Sequence, residues 1–140
     1  MSLDGEVLES LRLASLLHDI GKIGVKESIL MKPAKLLGYE RRQIRLHPGI
    51  GARIVESIDD FQAIQRGILE HHERYDGKGY PNHLKGDQIS LEGRIIAVAD
   101  VFDALTTDRP YSKGYSKDEV FHKIEPVSYT HLTLPTNREV

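Results

Sequence analysis

Ser90-Leu91-Glu92-Gly93-Arg94-Ile95-Ile96-Ala97-Val98-Ala99-Asp100-Val101-Phe102-Asp103-Ala104-Leu105 is the stretch on which the fold turns. Ser90 is a residue type that caps helices, and no proline interrupts the run behind it, so a helix is expected from Ser90 through Leu105. Its apolar residues lie nearly all round the axis, which predicts a buried helix. Asp100 sits among them. A buried, unpaired carboxylate is costly, so such a group neutralises, pairs or binds a metal. Two other readings stay open here: a salt bridge to a buried arginine, or a place at an exposed helix edge. Asp103, one turn further on, reads as a structural hydrogen-bond acceptor or as a carboxylate supporting a site.

The flanking sequence repeats the helical pattern. Leu8, Leu11, Ala14, Leu16 and Leu17 predict a helix over 5–18 that stops near Gly21. Gly21 to Gly24 reads as a turn. Short helices are expected over 27–31, ended by Lys32-Pro33, and over 39–46. His47-Pro48 punctuates, and a helix from Pro48 to about Ser57 carries Ile50, Ile54, Val55 and Ile58. Asp59 or Asp60 can cap a helix to about His72, with Phe61, Ile64, Ile68 and Leu69 inward. Residues 73–89, broken by glycines and a proline, read as a long loop. Ser116 caps a last helix, with Val120, Phe121 and Ile124 inward. Alternating, strand-like patterning is almost absent, so the fold class expected is all-α.

The 140 residues amount to one domain, and 39% hydrophobic with 29% charged residues marks a globular chain. A net charge of −2 argues against a general nucleic-acid binder. With no cysteine, disulfides, thiolate-bound zinc and thiol nucleophiles are excluded. No stretch approaches the length of a membrane span, and the first residues lack the blocks of a signal peptide, so a cytoplasmic location is expected.

Seven histidines stand out in a chain without tryptophan. His18-Asp19 and His71-His72 are adjacent pairs at predicted helix ends, and His47 precedes a proline at a helix start. Adjacent helical residues point about 100° apart, so such a pair can serve two neighbouring ions, or one member can ligate while the other orients. Ligands from separate helix ends can converge in a bundle. Each histidine alone reads as readily as a cap or a surface group. Together with Asp19 and Asp100, His18, His47, His71 and His72 supply nitrogen and carboxylate oxygen without sulfur, a set suited to Fe, Mn or Zn. His83, His122 and His131 fit no such pattern and are expected on the surface.

His18-Asp19-Ile20-Gly21-Lys22-Ile23-Gly24 resembles the signature of the HD superfamily of metal-dependent phosphohydrolases. His71-His72-Glu73-Arg74-Tyr75-Asp76-Gly77-Lys78-Gly79-Tyr80-Pro81 resembles its HD-GYP subgroup, as do the segments 97–106 and Asp108-Arg109-Pro110-Tyr111. The likeness covers residues 11 to 125. It implies an HD-domain-like helical bundle that hydrolyses cyclic di-GMP with two or three divalent ions, iron or manganese foremost. It further implies His18, Asp19, His47, His71, His72 and Asp100 as metal ligands, with Asp19 bridging and catalytic. Lys22 becomes a proton donor or transition-state cation, and Tyr80 and Arg109 contact the nucleotide. Isolated, Lys22 reads as a solvated lysine, Tyr80 as a loop anchor and Arg109 as a salt-bridge partner.

HD domains usually carry a further histidine on a helix before the His-Asp pair, and the three-metal subgroup a glutamate. The seventeen residues before His18 contain no histidine. The chain is therefore expected to be an incomplete bundle, cut at both ends, either weakly active or paired with a second copy as a homodimer. A sensor or receiver domain is expected in the parent protein. The stretch 126–140 lacks a helical stripe; Val127-Ser128-Tyr129-Thr130-His131 resembles an in-frame translation of a transposon-type sequencing adapter, and the native sequence is expected to differ after about Glu125. Competing functional readings are a degenerate signalling module that binds nucleotide or protein without turnover, and an HD phosphohydrolase of another nucleotide.

Overall fold

The structure, a computed structural model, describes residues 4–58, 61–108 and 112–130. Seven α-helices are present among them: α1 (Gly5–Leu17), α2 (Glu27–Leu30), α3 (Gly38–Ile44), α4 (His47–Val55), α5 (Gln62–Glu70), α6 (Leu91–Thr106) and α7 (Lys117–Thr130). Two 3-10 turns, Ile20–Gly24 and Gly86–Gln88, join them. The described residues contain no strand; an isolated antiparallel bridge joins Asp76 and Lys85. The all-α expectation holds.

Capping residues set several helix starts. Asp4 accepts from the Glu6 and Val7 amides at 2.9 and 3.0 Å. Ser90 Oγ accepts from Gly93 N at 3.1 Å, as its position predicts. Ser116 and Glu119 form a reciprocal box, each side chain accepting the other's backbone N–H. Asp59 and Asp60, the predicted caps of α5, lie outside the described residues, as does His131.

The core gathers on α5, which packs against α1, α4 and α6. Ala14, Val55, Ile64, Ile68 and Ile96 form it, with Leu11, Leu13, Leu17 and Phe61 at its margin. A smaller cluster of Val25, Ile29 and Ile44 seats α2 against α3. Small residues allow the close crossings. A Cβ at Gly21 would overlap the His47 carbonyl, so the turn after His18-Asp19 lies directly on the start of α4.

Several expected inward residues face out. Leu8 and Leu16 are exposed because Ala14 defines the buried face of α1, and Leu16 is about 200° around the axis from it. On α4 the buried face is His47, Pro48, Gly51, Ala52 and Val55, which leaves Ile54 exposed; the helix ends at Val55, and Ile58 lies exposed in the turn beyond it. Phe121 is exposed too, although its ring meets Phe102 at 5.2 Å; Val120 and Ile124 are inward as expected.

The largest correction concerns α6, predicted to be buried all round. Only Gly93, Ile96 and Ala97 of it are buried. Leu91, Ile95, Val98 and Phe102 instead face an open apolar groove of about 730 Å³, closed on its other side by Phe121 and Ile124 of α7. The physical reason is that α5 covers one face of α6, and α7 touches it only lightly. The backbone of α7 also continues past Glu125 to Thr130, where the sequence shows no helical pattern.

Candidate metal centre

The ends of helices build the site. His18 is the C-cap of α1, His71 the C-cap of α5, and His47 follows the end of α3 and opens α4. The last carbonyls of a helix have no partner within it. Here imidazoles supply partners. Nδ1 of His18 meets Ser15 O at 2.7 Å, that of His47 meets Ile44 O at 2.6 Å, and that of His71 meets Ile68 O at 2.6 Å. A carbonyl only accepts, so Nδ1 carries the proton and donates in each case. This assigns the tautomer and leaves Nε2 as a lone-pair donor to a metal.

Those nitrogens converge. His47 Nε2 lies 3.3 Å from His71 Nε2 and 3.3 Å from Asp19 Oδ1. His18 Nε2 lies 3.5 Å from Asp19 Oδ2 and 3.7 Å from Asp100 Oδ1. The ring of His72 is 4.1 Å from that of His71 and 5.0 Å from that of His47. His47, His71 and His72 each offer a ligand atom within 4.8 Å of the others. All six candidate ligands, named from four separate parts of the sequence, are brought to one place. Asp100 is neither paired with a buried arginine nor set on an open edge; among the described residues its ion-pair partner is His18.

The electrostatics of the cluster fit a divalent cation. With Nδ1 protonated on both His47 and His71, their facing Nε2 atoms are both acceptors, and no proton lies between them. Burial pushes the His71 imidazole down to about 4, and pushes His47 and His72 down as well. All three are thus neutral at pH 7. His18 moves the other way, raised chiefly by the Asp100 carboxylate that faces its Nε2. Burial raises Asp100, but His18 and the facing imidazoles outweigh it and hold the carboxyl below its ordinary range. Neutral imidazole nitrogens and ionised carboxylates aimed at one point are the donor chemistry that iron, manganese and zinc accept.

Lys22 stands beside this cluster, its Nζ 2.8 Å from Asp19 Oδ2. Tyr80 stacks on His72, ring centroids 4.9 Å apart and 17° from parallel. The Arg45 guanidinium carbon is 5.1 Å from the centre of the Tyr80 ring. Arg109 lies outside the described residues. Asp103 is exposed and borders the groove between α6 and α7; His83 and His122 are exposed as expected.

Sequence reasoning missed the residues that hold the loop. Glu73 is buried, and its carboxylate accepts from Asn82 N at 2.6 Å and Leu84 N at 2.9 Å. Tyr80 N donates to His72 O at 3.2 Å, and a Cβ at Gly79 would overlap the Arg74 amide and crowd the His72 carbonyl. Glu70 is likewise buried and accepts from Ser90 N at 2.6 Å, tying the end of α5 to the start of α6. No spacing announces such contacts, since each joins residues eight to twenty apart. A signal did exist for the carbonyl ties: each of those histidines lies at or just past the end of a predicted helix.

Comparison with known proteins places the chain. It matches the HD domain family over residues 1–132. It is 45% identical over 121 residues to the cyclic di-GMP phosphodiesterase response regulator RpfG of Xanthomonas campestris, covering 84% of this chain and 32% of that protein. A cyclic di-GMP phosphodiesterase of Pseudomonas aeruginosa is 48% identical over 113 residues, covering 80% and 27%. The 3′3′-cGAMP-specific phosphodiesterase 3 of Vibrio cholerae is 43% identical over 122 residues, covering 87% and 26%. The chain therefore spans about a quarter to a third of the length of these relatives. No helix among the described residues is long and apolar enough to cross a membrane. With its His-Asp turn, its gathered imidazoles and this match along nearly its whole length, the chain belongs to the HD domain family.

Proposed function

We propose that this domain is the catalytic part of a metal-dependent phosphodiesterase that hydrolyses cyclic di-GMP. One observation carries the reading: four imidazoles and two carboxylates converge, three of the imidazoles with Nε2 freed by a carbonyl tie. His18, Asp19, His47, His71, His72 and Asp100 would hold two or three divalent ions, iron or manganese, with Asp19 shared between two. Such ions supply a water nucleophile at neutral pH and neutralise charge growing on the phosphate.

The chain's own groups do the rest. Lys22 is held at Asp19 in a short turn, where its ammonium gives a proton to the 3′ oxygen that leaves phosphorus. Asp19 thus orients the lysine as well as binding metal. Tyr80 offers a ring for a nucleobase, a contact that stacking favours. Arg109 forks onto a phosphate or a guanine edge. The likeness to both cyclic di-GMP and 3′3′-cGAMP phosphodiesterases supports a cyclic dinucleotide as substrate, and makes cyclic GMP–AMP the second candidate.

The test is metal content together with turnover. Protein loaded with Fe(II) or Mn(II) without oxygen is analysed for bound metal and given cyclic di-GMP, 3′3′-cGAMP and a nucleoside triphosphate separately. Two or three equivalents of metal with cleavage of a cyclic dinucleotide supports the reading. Metal-free protein after loading, or cleavage of the triphosphate alone, overturns it.

A further inference from the structure

Four imidazoles face the centre, but only three have their planes set by a hydrogen bond to the carbonyl three residues before. The described contacts of His72 include no such bond. Its ring is held by packing instead. His47 meets it edge-on at 88°, His71 meets it tilted at 44°, and Tyr80 lies almost parallel to it at 17°. A near-parallel neighbour is the one that restricts rotation of a flat ring about its last torsion, because turning the imidazole drives its edge into the phenol.

Tyr80 is itself firmly placed. Its N–H is bonded to the carbonyl of His72, the residue on which its ring stacks. Close backbone approach at Gly79 brings the chain back over residues 72–74. The buried Glu73 carboxylate fastens the far side of the loop through Asn82 and Leu84. The Gly86 N–H to Tyr75 O bond at 3.0 Å closes its base. Arg45, from the turn after α3, packs its guanidinium against the Tyr80 ring.

We propose that Tyr80 is a positioning residue for His72: its ring sets the imidazole plane that the carbonyl ties set for His18, His47 and His71. The proposal rests on His72 being a metal ligand. It adds that the Gly-Tyr-Pro loop and the metal centre are one coupled unit, so that moving the loop changes affinity for the ion. That coupling is reciprocal: whatever binds the loop only when Tyr80 is seated also strengthens metal binding.

Tyr80→Leu and Tyr80→Phe, each also combined with His72→Ala and with His18→Ala, test it. Mn(II) is titrated against each protein, with the free ion followed by electron paramagnetic resonance. Loss of an orienting group around a ligand weakens metal binding about 10–100-fold. Tyr80→Leu is expected to weaken Mn(II) binding by about tenfold, the low end of that range, and Tyr80→Phe to leave it within about twofold. The Tyr80→Leu penalty should vanish in the His72→Ala background and persist in the His18→Ala background. A full penalty without His72, or none in the single variant, overturns the proposal.

A second readout needs no metal. In chelator-treated protein, ring nitrogen NMR of Tyr80→Leu should show His72 changed, with His47 and His71 still Nδ1-protonated. The unchanged pair reports that the fold is intact. Unchanged His72 resonances overturn the proposal. Should the wild-type protein bind no Mn(II), the metal reading fails, and the ring resonances still decide whether Tyr80 holds His72.

Discussion

Removing the Glu73 carboxylate should loosen the Gly-Tyr-Pro loop without unfolding the helices. Glu73→Ala leaves the Asn82 and Leu84 amides, held at 2.6 and 2.9 Å, without their acceptor. A hydrogen bond to a charged group contributes about 1.5–3 kcal/mol net. Two such bonds would total about 3–6 kcal/mol on that scale, but an exposed loop recovers part of the loss by turning its amides to water. Asn82 is exposed and Leu84 half-buried, so we take about 2–4 kcal/mol. The loss is local, because the core on α5 makes no use of this carboxylate. Amide hydrogen exchange separates the two scales. At about 1.4 kcal/mol per tenfold, protection at Asn82 and Leu84 should fall about 30- to 1,000-fold. Protection at Ile64 and Ile68 should stay within about twofold, since local opening does not report on the global transition. Glu73→Gln retains one acceptor oxygen and should fall between. Equal exchange in wild type and Glu73→Ala would refute the reasoning, as would an equal loss of protection throughout α5.

The same contacts set other expectations. Gly21→Ala places a methyl against the His47 carbonyl and should destabilise the fold by at least about 2 kcal/mol in urea titrations. Lys22→Ala should lower turnover about 100- to 1,000-fold, while bound metal measured by elemental analysis is unchanged. In chelator-treated protein the His71 imidazole titrates near 4 when folded against 6.5 when unfolded. The unfolded chain therefore takes up a proton first, and stability present above pH 6.5 is lost as pH falls toward 4. His71 alone accounts for about 3 kcal/mol of that loss. His47 and His72 add to it and His18 opposes it, and urea titrations across this range should flatten in His71→Leu.

Much of the site was legible because its chemistry is carried by residue type. His18, Asp19, His47, His71, His72 and Asp100 are scarce, polar groups at helix ends or within an apolar helix, and type and place together single them out. Helix positions were legible from periodicity and caps, as with Ser90 and Ser116. What resisted reading was facing. Leu8, Leu16 and Ile54 look like core residues, yet the small Ala14 and Gly51 decide which side packs. The open side of α6 was hidden because an apolar residue does not announce whether a partner covers it. Glu73 was hidden because its partners are backbone amides, which every sequence possesses.

The carbonyl ties give this centre an unusual dependence on where helices stop. The bonds that finish α1, α3 and α5 are the bonds that aim three of the imidazoles. Extending or shortening any of these helices by one residue would swing its histidine by about 100°, out of reach of the others. An insertion or deletion inside those segments therefore changes the imidazole cluster even when it touches none of the histidines. Substitutions that keep the helices' length leave that aim in place.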